Sequence, residues 1–415
     1  MRNMQEQYDF LTLSDTELSE KNVLMRVDIN SPMNLNGVIL DDMRFRSHLP
    51  TLKELSECKI VLLAHQSRPG KSDFTTMLPH ASLLSRLLGR RVVYVDDIFG
   101  SNACSKIEMM ECGDVLMLEN IRFYSEEMLN RSVEEHATTY MVKRLAPYFD
   151  MFVNDAFSAS HRSHLSVIGF TTTLPSYAGR VMEKELYYLG RGLQPDVPVL
   201  FVLGGAKADD SMKVMKNTLE KNPSSRVLTT GLVANLLLHA SGVDIGEPSV
   251  RALSSTGLLD FLDVAKRLLD EYKDRIGLPI DFAVEKDGKR ENVLLKQMPV
   301  PYPIMDIGIE TMAGFSEEIK RAEVVVMNGP AGVIEMDDYR EGTDELLRAA
   351  TKAKCSLIGG GHISAAVEHA KLKDRLTHVS TGGGAAIQFL SGERLAGVEA
   401  LKNAAMRERK GKRKA

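Results

Sequence analysis

The chain has 415 residues, of which 44% are apolar and 26% charged, and its formal net charge is −4. This length exceeds one usual domain and predicts two, each large enough to bury its own core. The charge balance argues against a protein that binds nucleic acid over its whole surface. The absence of any apolar run of about 18 residues argues against a membrane span.

The four cysteines indicate a reducing environment. Cys58, Cys104, Cys112 and Cys355 are scattered, with no C-x-x-C pair, which is typical of cytoplasmic proteins rather than of disulfide frameworks or zinc sites. The first ten residues also lack the apolar core of a signal peptide. The sequence therefore predicts a cytoplasmic protein.

Short apolar runs alternate with longer amphipathic stretches along the chain. In the first half the predicted strands are VLMRVDI (23–29), IVLLA (60–64), VVYV (92–95), VLMLE (115–119) and MFVND (151–155), with helical patterns at 47–57 and 133–146. In the second half they are VLFVLGG (199–205), RVLTTG (226–231), IDFAVE (280–285), VVVMNG (324–329), SLIGGG (356–361) and LTHVSTGGG (376–384). This alternation predicts an α/β fold with two doubly wound, Rossmann-like lobes, each a parallel sheet covered by helices.

The join between the lobes is expected near residues 175–193, where Met182, Leu186, Leu189 and Leu193 recur at helical spacing. We expect an N-terminal domain over 1–178 and a C-terminal domain over 179–395. Residues 179–193 would form an interdomain helix with hinges at its ends. The remaining segment, 396–415, carries the basic run RERKGKRK (407–414), which is typical of a solvated, frayed end.

Charged and polar residues follow the strands of the first lobe. They are Arg26, Asp28 and Asn30 on strand one, Arg44 after it, His65 and Arg68 after strand two, then Arg122, and finally Arg162 between His161 and His164. A single arginine is usual on a solvated surface, but the ends of parallel strands lie close together and ligands bind there. Arginine forks bind phosphate and carboxylate, so this pattern predicts a site for a small, multiply charged anion.

Glycine-rich turns follow the strands of the second lobe, at GGAK (204–207), NGPAG (328–332), GGGH (359–362) and TGGG (381–384). Glycine lets backbone N–H groups approach a phosphate, and the helix N-terminus behind each turn favours negative charge. One such turn is common in any fold. Four in one lobe predict a nucleotide site.

Other motifs fail. Gly70-Lys71-Ser72 resembles the end of a Walker A loop, but the required earlier glycine position holds His65. No G-x-G-x-x-G follows the first strand, which argues against a dehydrogenase. A metal site at Asp155, His161 and His164 lacks further ligands nearby in the sequence. An anion lobe and a nucleotide lobe joined by a helix instead favour a hinge-closing phosphotransferase, in which closure excludes water.

The chain resembles phosphoglycerate kinases in a series of segments that occur in the family's order and at its spacing. These segments are VLMRVDINSPM, DDMRFRSHLPT, AHQSRPG, LENIRFY, NDAFSASHRSHLSVIGF, AGRVMEKEL, LGGAKADDS, MDIG, VVVMNGPAGVIE, IGGGHISAAVE and HVSTGGGA. The resemblance runs from about residue 20 to 400, and DINSPM, AHQSRP, GGAKxxDS and GGGH are most similar to the archaeal branch. It implies reversible phosphoryl transfer between 1,3-bisphosphoglycerate with ADP and 3-phosphoglycerate with ATP, with Mg²⁺ as cofactor. It implies neither a nucleic-acid nor a membrane partner, and it leaves monomer and homodimer open.

The resemblance also implies where the substrates bind. The 3-phosphoglycerate site would comprise Asp28, Asn30, Arg44, His65, Arg68, Arg122 and Arg162. The nucleotide site would comprise Lys207, Asn328, Glu335 and the turn of Gly359, Gly360, Gly361, His362 and Ile363. In the family, the counterpart of Glu335 contacts the ribose, and those of Arg44 and Lys207 neutralise the transferring phosphoryl group. Arg44 and Lys207 are therefore the expected catalytic pair.

Three positions depart from the widely seen family pattern. Ser211 stands where a second lysine is usual, His362 where an acidic residue holds the nucleotide-bound metal, and Ile363 where a hydroxyl residue is usual. They leave the metal ligands open and raise an alternative function, a catalytically silent paralogue that binds metabolites. The retained arginines, Lys207, Asn328 and Glu335 oppose that alternative.

Overall fold

The computed structural model describes residues 9–34, 36–194 and 196–412. Residues 1–8 and 413–415 lie outside the described residues. The first range holds most of the N-terminal segment that lacks a signal-peptide core, and the second is the end of the predicted basic tail. None of the described helices is long and apolar enough to cross a membrane. Contacts divide the chain into two compact units, Met1–Leu186 with Arg394–Ala415, and Tyr187–Glu393. The predicted domain limits at residues 178 and 395 stay predictions.

The first unit is built on a parallel sheet. Its six described strands are β1 (Asn22–Arg26), β2 (Lys59–Leu63), β3 (Val92–Val95), β4 (Val115–Leu118), β5 (Met151–Asn154) and β6 (Ser176–Ala178). They lie in the order β3-β4-β2-β1-β5-β6, and every neighbouring pair is parallel. Strands β1 to β5 confirm the sequence prediction, because strands buried on both faces are apolar almost throughout. The three-residue strand β6 was missed.

Helices cover both faces of this sheet. In the described part of the first unit they are α1 (Met43–Glu54), α2 (Leu78–Leu88), α3 (Ser101–Glu108), α4 (Val133–Ala137), α5 (Tyr140–Leu145) and α6 (Leu165–Ile168). The next helix, α7 (Arg180–Arg191), begins in this unit and ends in the second one. The helical pattern predicted over 133–146 corresponds to two short helices, α4 and α5, rather than to one continuous helix. Thr139 has an extended backbone (ψ 155°) that ends one helix and begins the next.

The second unit contains a parallel sheet with the described strand order β15-β14-β13-β7-β8-β9. Its strands are β7 (Val199–Leu203), β8 (Arg226–Thr229), β9 (Ile276–Gly277), β13 (Val324–Asn328), β14 (Cys355–Gly359) and β15 (His378–Val379). The fold class predicted from the sequence, two parallel-sheet α/β lobes, is confirmed.

One predicted parallel strand was wrong in its pairing. β10 (Asp281–Lys286) pairs antiparallel with β11 (Lys289–Leu294) and β12 (Ile304–Ile307) in a separate sheet. The hairpin turns at Asp287 and Gly288, whose φ angles are 51° and 72°. Positive φ at both central residues is the geometry of a type I′ turn, which Asp-Gly favours.

The described helices of the second unit follow its strands. They are α8 (Ala208–Lys221), α9 (Gly231–Ala240), α10 (Glu247–Ser255), α11 (Leu262–Tyr272), α12 (Ile309–Arg321), α13 (Glu341–Ala350), α14 (Gly361–His369) and α15 (Gly384–Leu390). The last helix, α16 (Ala396–Lys412), returns to the first unit. There Gly397 N donates to Ser160 O at 2.8 Å, and Ala400 packs in a core cluster with Val167 and Ile168.

Candidate functional site

The residue Asp28, which follows β1, organises the predicted anion site. Its buried carboxylate accepts hydrogen bonds from the Arg44 guanidinium and from the Ser158 hydroxyl. Burial acts to raise the pKa of Asp28, but the charges of Arg44 and Arg26 and the hydrogen bond from Ser158 hold that pKa well below its usual range. Asp28 is therefore ionised at neutral pH and fixes the position of Arg44.

His65, which follows β2, supplies a neutral donor. Its side chain is buried, and Nδ1 lies 2.8 Å from Arg26 Nη2. Because arginine can only donate, Nδ1 accepts and the proton of the ring is on Nε2. Burial, followed by the charge of Arg26, lowers the pKa of His65 well below its usual value. His65 can thus offer an N–H group without adding positive charge.

Arg122 lies in a short 3₁₀ turn (Ile121–Phe123) after β4. It is 7% exposed, its Nη1 donates to Ser67 O, and its buried Nε has no partner among the described residues. Burial lowers the pKa of Arg122 to about 10, so the group stays charged at neutral pH. Asn120 Oδ1 fixes the turn by accepting from Arg122 N at 3.1 Å. A buried nitrogen without a partner is stabilised when an anion or water pairs with it.

The other predicted residues of this site lie nearer the surface. Asn30 Oδ1 accepts from Ser67 N at 2.8 Å, which fixes the loop that leads to the exposed side chain of Arg68. Arg162 is exposed, and its Nε lies 3.1 Å from His161 Nε2. Burial, followed by the charges of Arg122, Arg162 and Arg26, lowers the pKa of His164 to about 3. Those three arginines therefore contribute to one positive field.

The sequence analysis missed the buried countercharge Glu127. Its side chain is fully buried and accepts from Ser166 N at 2.9 Å and from Ser166 Oγ at 2.7 Å. Burial raises the pKa of Glu127, whereas the charges of Arg26 and Arg122 act in the opposite direction. An acidic residue soon after LENIRFY was the only sequence signal, and such residues are usually exposed.

In the second unit, Gly360 and Asn328 lie in close contact. Asn328 ends β13 with 7% of its surface exposed, and Gly360 precedes α14 with a φ of 103°. A Cβ atom on Gly360 would lie 2.8 Å from Asn328 Oδ1. Only glycine fits this turn, for reasons of both backbone angle and space.

We expect Gly360→Ala to weaken the nucleotide binding predicted at this turn by at least about tenfold, because the new methyl group displaces Asn328 and distorts the turn. The matched control is Gly314→Ala, since Gly314 lies in α12 of the same unit, outside the turn, and a Cβ there meets no atom within 4 Å. Calorimetric titration with ATP, the nucleotide that the family resemblance implies, would measure the Kd of both variants. Equal Kd values for the two would contradict a role of this turn in nucleotide binding.

A largely apolar cleft of about 220 Å³ lies in the second unit. Its lining includes Leu232, Phe282 and Ile304, with Glu335 and His362 among its polar residues. Clefts with apolar walls and a few polar groups are the usual form of small-molecule sites. The sequence analysis found Glu335 and His362 but missed the apolar walls, which come from segments far apart in the chain.

The loop that carries Glu335 is held by Asp306. The buried Asp306 carboxylate accepts from Gly342 N at 2.8 Å and from Arg290 Nη1 at 3.1 Å. Burial raises the pKa of Asp306 to about 6, although these donors act to lower it. A Cβ on Gly332 would lie 2.5 Å from Asp306 Oδ1, so the NGPAG turn packs directly on this carboxylate.

The residues that depart from the family pattern lie in different surroundings. Ser211 is fully buried, with no hydrogen-bond partner for its Oγ among the described residues, so it cannot present a charge as lysine would. His362 is exposed at the cleft. Ile363 is 0% exposed and packs in the hydrophobic core, which leaves only its backbone for a ligand. Lys207 is exposed at the N-cap of α8.

The chain has two parallel-sheet units. The first has arginines at its strand ends, and the second has glycine-rich turns beside an apolar cleft. These features are typical of a two-lobed α/β phosphotransferase. A family model described as phosphoglycerate kinase matches residues 13–393. The chain is 56% identical over 398 residues to a phosphoglycerate kinase of Methanosarcina mazei, covering 95% of this chain and 96% of that protein. The chain therefore belongs to the phosphoglycerate kinase family.

Further similarities agree with this assignment. The chain is 52% identical to a phosphoglycerate kinase of Archaeoglobus fulgidus, with 94% of this chain and 96% of that protein covered. The crystal structure of the Pyrococcus horikoshii phosphoglycerate kinase matches with a TM-score of 0.87 at 40% identity, covering 95% of this chain and 99% of the other. The protein is thus a kinase of glycolysis that uses a carboxyl group as phosphoryl acceptor, and the comparisons give no support to a silent paralogue.

Proposed function

We propose that 3-phosphoglycerate binds in the first unit and the adenine nucleotide in the second, at the residues predicted from the sequence. The acid site comprises Asp28, Asn30, Arg44, His65, Arg68, Arg122 and Arg162. The nucleotide site comprises Lys207, Asn328, Glu335 and the turn from Gly359 to Ile363. The observation that supports the proposal is the buried guanidinium of Arg122. Its Nε has no hydrogen-bond partner among the described residues, and its charge contributes to the positive field at the strand ends.

In the acid site, each group has a distinct task. Arg122 and Arg162 provide the charge that a phosphate or carboxylate needs, and guanidinium groups can bind either one through two hydrogen bonds. His65 adds a neutral N–H donor. Asp28 holds Arg44 in place, which leaves the rest of the Arg44 guanidinium for the reacting group.

In the nucleotide site, the apolar cleft accepts the base and Glu335 binds the ribose. Support comes from the place of Glu335 among the cleft residues. The phosphates lie at the glycine-rich turns, where the N-termini of α8 and α14 favour negative charge. Lys207, at the N-cap of α8, reaches the terminal phosphate.

The transfer step needs electrostatic help rather than a base. The carboxylate of 3-phosphoglycerate is already ionised at neutral pH, so no proton has to be removed before its oxygen attacks the γ-phosphorus of ATP. The bond between that phosphorus and the bridging oxygen breaks, and ADP is the leaving group. The phosphoryl group in transit carries charge on three equatorial oxygens. Arg44 and Lys207 neutralise that charge, and the hinge closure predicted from the sequence is the proposed way to exclude water from the reaction.

Magnesium fits this assignment as an ion that the nucleotide carries. Among the described residues, no group of three or more His, Cys, Asp and Glu side chains could hold a metal. Mg²⁺ bound to a nucleotide takes most of its ligands from phosphates and water, so a full protein cage is not required. When bound, the ion neutralises part of the charge on the phosphates. The imidazole of His362 is a poor ligand for Mg²⁺.

The cellular setting is part of the same proposal. The protein works in the cytoplasm as an archaeal-type enzyme, which is supported by scattered cysteines and by relatives from Methanosarcina and Archaeoglobus. It acts as a monomer or a homodimer.

The assignment of substrates to units is tested by a reciprocal pair of variants. Arg122→Ala should raise the KM for 3-phosphoglycerate by at least about tenfold and leave the KM for ATP nearly unchanged, because it removes a charged hydrogen-bond donor. Glu335→Gln should raise the KM for ATP and leave that for 3-phosphoglycerate unchanged. The opposite pattern would overturn the assignment.

A further inference from the structure

One face of α1 continues from Arg44 of the acid site into polar residues that the proposed mechanism does not use. Arg44, His48, Thr51 and Glu54 are spaced by three or four residues and therefore lie on the same side of the helix. Arg44 binds Asp28 in the acid site, and Glu54 binds Arg180 in the first turn of α7. Between them, His48 and Thr51 are almost fully buried.

His48 bridges the acid site and a second buried carboxylate. Its Nε2 lies 3.1 Å from both the backbone N and the backbone O of Asp28. Its Nδ1 lies 2.7 Å from Asp155 Oδ2. The imidazole thus touches the main chain of the residue whose carboxylate holds Arg44.

Asp155 connects this bridge to the start of α7. Its fully buried Oδ2 also accepts from Thr51 Oγ1 at 2.9 Å, and its Oδ1 accepts from Val181 N at 2.8 Å. A Cβ on Gly179 would lie 2.2 Å from Asp155 Oδ1. The chain before α7 therefore packs directly against the carboxylate that orients His48.

We propose that His48 and Asp155 are positioning residues for the acid site, which hold the main chain of Asp28 in place and tie it to the first turn of α7. The inference rests on the proposed role of Asp28 and Arg44 in binding 3-phosphoglycerate. Neither His48 nor Asp155 touches the substrate. They act on it through Asp28, whose carboxylate orients the Arg44 guanidinium.

The first test separates positioning from general stability. In His48→Asn the side-chain amide can still donate to Asp155 in place of Nδ1. The shorter side chain has no atom at the position of Nε2, so the contact with the main chain of Asp28 is lost. Isothermal titration of the full-length variant with 3-phosphoglycerate should give a Kd raised by about tenfold, with the KM for ATP changed by less than about twofold. A purely structural role predicts a lower Tm with an unchanged Kd for 3-phosphoglycerate, and that result would overturn the proposal.

The second test reaches the acid site from a distance. Gly179→Ala displaces Asp155, which supplies the three atoms nearest to a Cβ at Gly179, so this variant should also raise the Kd for 3-phosphoglycerate. Gly190→Ala is the matched control, because Gly190 lies in α7, which Gly179 directly precedes, and a Cβ at Gly190 meets nothing within 4 Å. Equal Kd values for the two alanine variants would count against the link through Asp155.

A third variant distinguishes failure of this inference from failure of the proposed function. Asp28→Asn removes the charge that fixes Arg44 and must weaken 3-phosphoglycerate binding if the acid site is assigned correctly. If Asp28→Asn binds normally, the proposed site itself is wrong. If Asp28→Asn binds weakly while His48→Asn and Gly179→Ala bind as the unaltered protein does, only the positioning role is overturned.

Discussion

Replacing Arg44 with alanine should lower kcat by about two to three orders of magnitude, far more than it changes the affinity for ATP, because a preorganised donor is lost at the transferring phosphoryl group. Asp28 holds the Arg44 guanidinium before substrate arrives, so little reorganisation is needed during transfer. Steady-state kinetics with both substrates saturating would measure kcat, and fluorescence titration would measure the Kd for ATP.

Arg46→Ala provides the control for this experiment. Arg46 lies on the same helix, but it is exposed and pairs with Asp42 at 2.7 Å. Its loss should leave kcat unchanged, since surface ion pairs contribute little to stability and Arg46 is not among the acid-site residues. An Arg44→Ala enzyme with near-normal turnover would remove Arg44 from the catalytic pair.

Lys207→Ala should raise the activation free energy by about 2–4 kcal/mol, by analogy with the loss of one preorganised donor. Lys207 is exposed at the N-cap of α8, where its flexible ammonium can follow the phosphoryl group. Because Ser211 is buried and uncharged, no second cation at that position can compensate. The ratio of the kcat/KM values of the unaltered protein and the Lys207→Ala variant gives the difference in activation free energy.

Lys216→Ala is the matched variant for Lys207. Lys216 lies on the same helix and pairs with Glu220 at 3.8 Å on the surface. Its removal should change kcat/KM by less than about twofold, as expected for an exposed pair. If Lys207→Ala lowers kcat/KM by less than about tenfold, Lys207 is not a catalytic residue.

The sequence predicted those parts of the fold that depend on local patterns. Strands such as β4 and β7 are buried on both faces, so each is a continuous apolar run that can be recognised in the sequence without knowledge of its neighbours. The antiparallel pairing of β10 was missed although Asp287-Gly288 is a strong hairpin signal, because the regular strand–helix alternation before it favoured a parallel strand. The two-residue strand β9 leaves too little pattern to detect.

The candidate site was predictable where residue type alone indicates chemistry. Arginines at strand ends and glycines at strand–helix turns indicate anion binding whatever their detailed contacts. The roles of Glu127, Asp155 and Asp306 were not predictable, because each depends on burial beside groups far away in the sequence. Asp155, for example, receives its bonds from His48, 107 residues earlier, and from Val181, 26 residues later.

The most direct test of the account is turnover of the purified protein with 3-phosphoglycerate, ATP and magnesium. ADP release would be followed while the acyl phosphate product is trapped, and each component would be omitted in turn. We predict turnover only when all three are present. Binding of both substrates without turnover would contradict the account, and would direct attention first to Ser211 and His362.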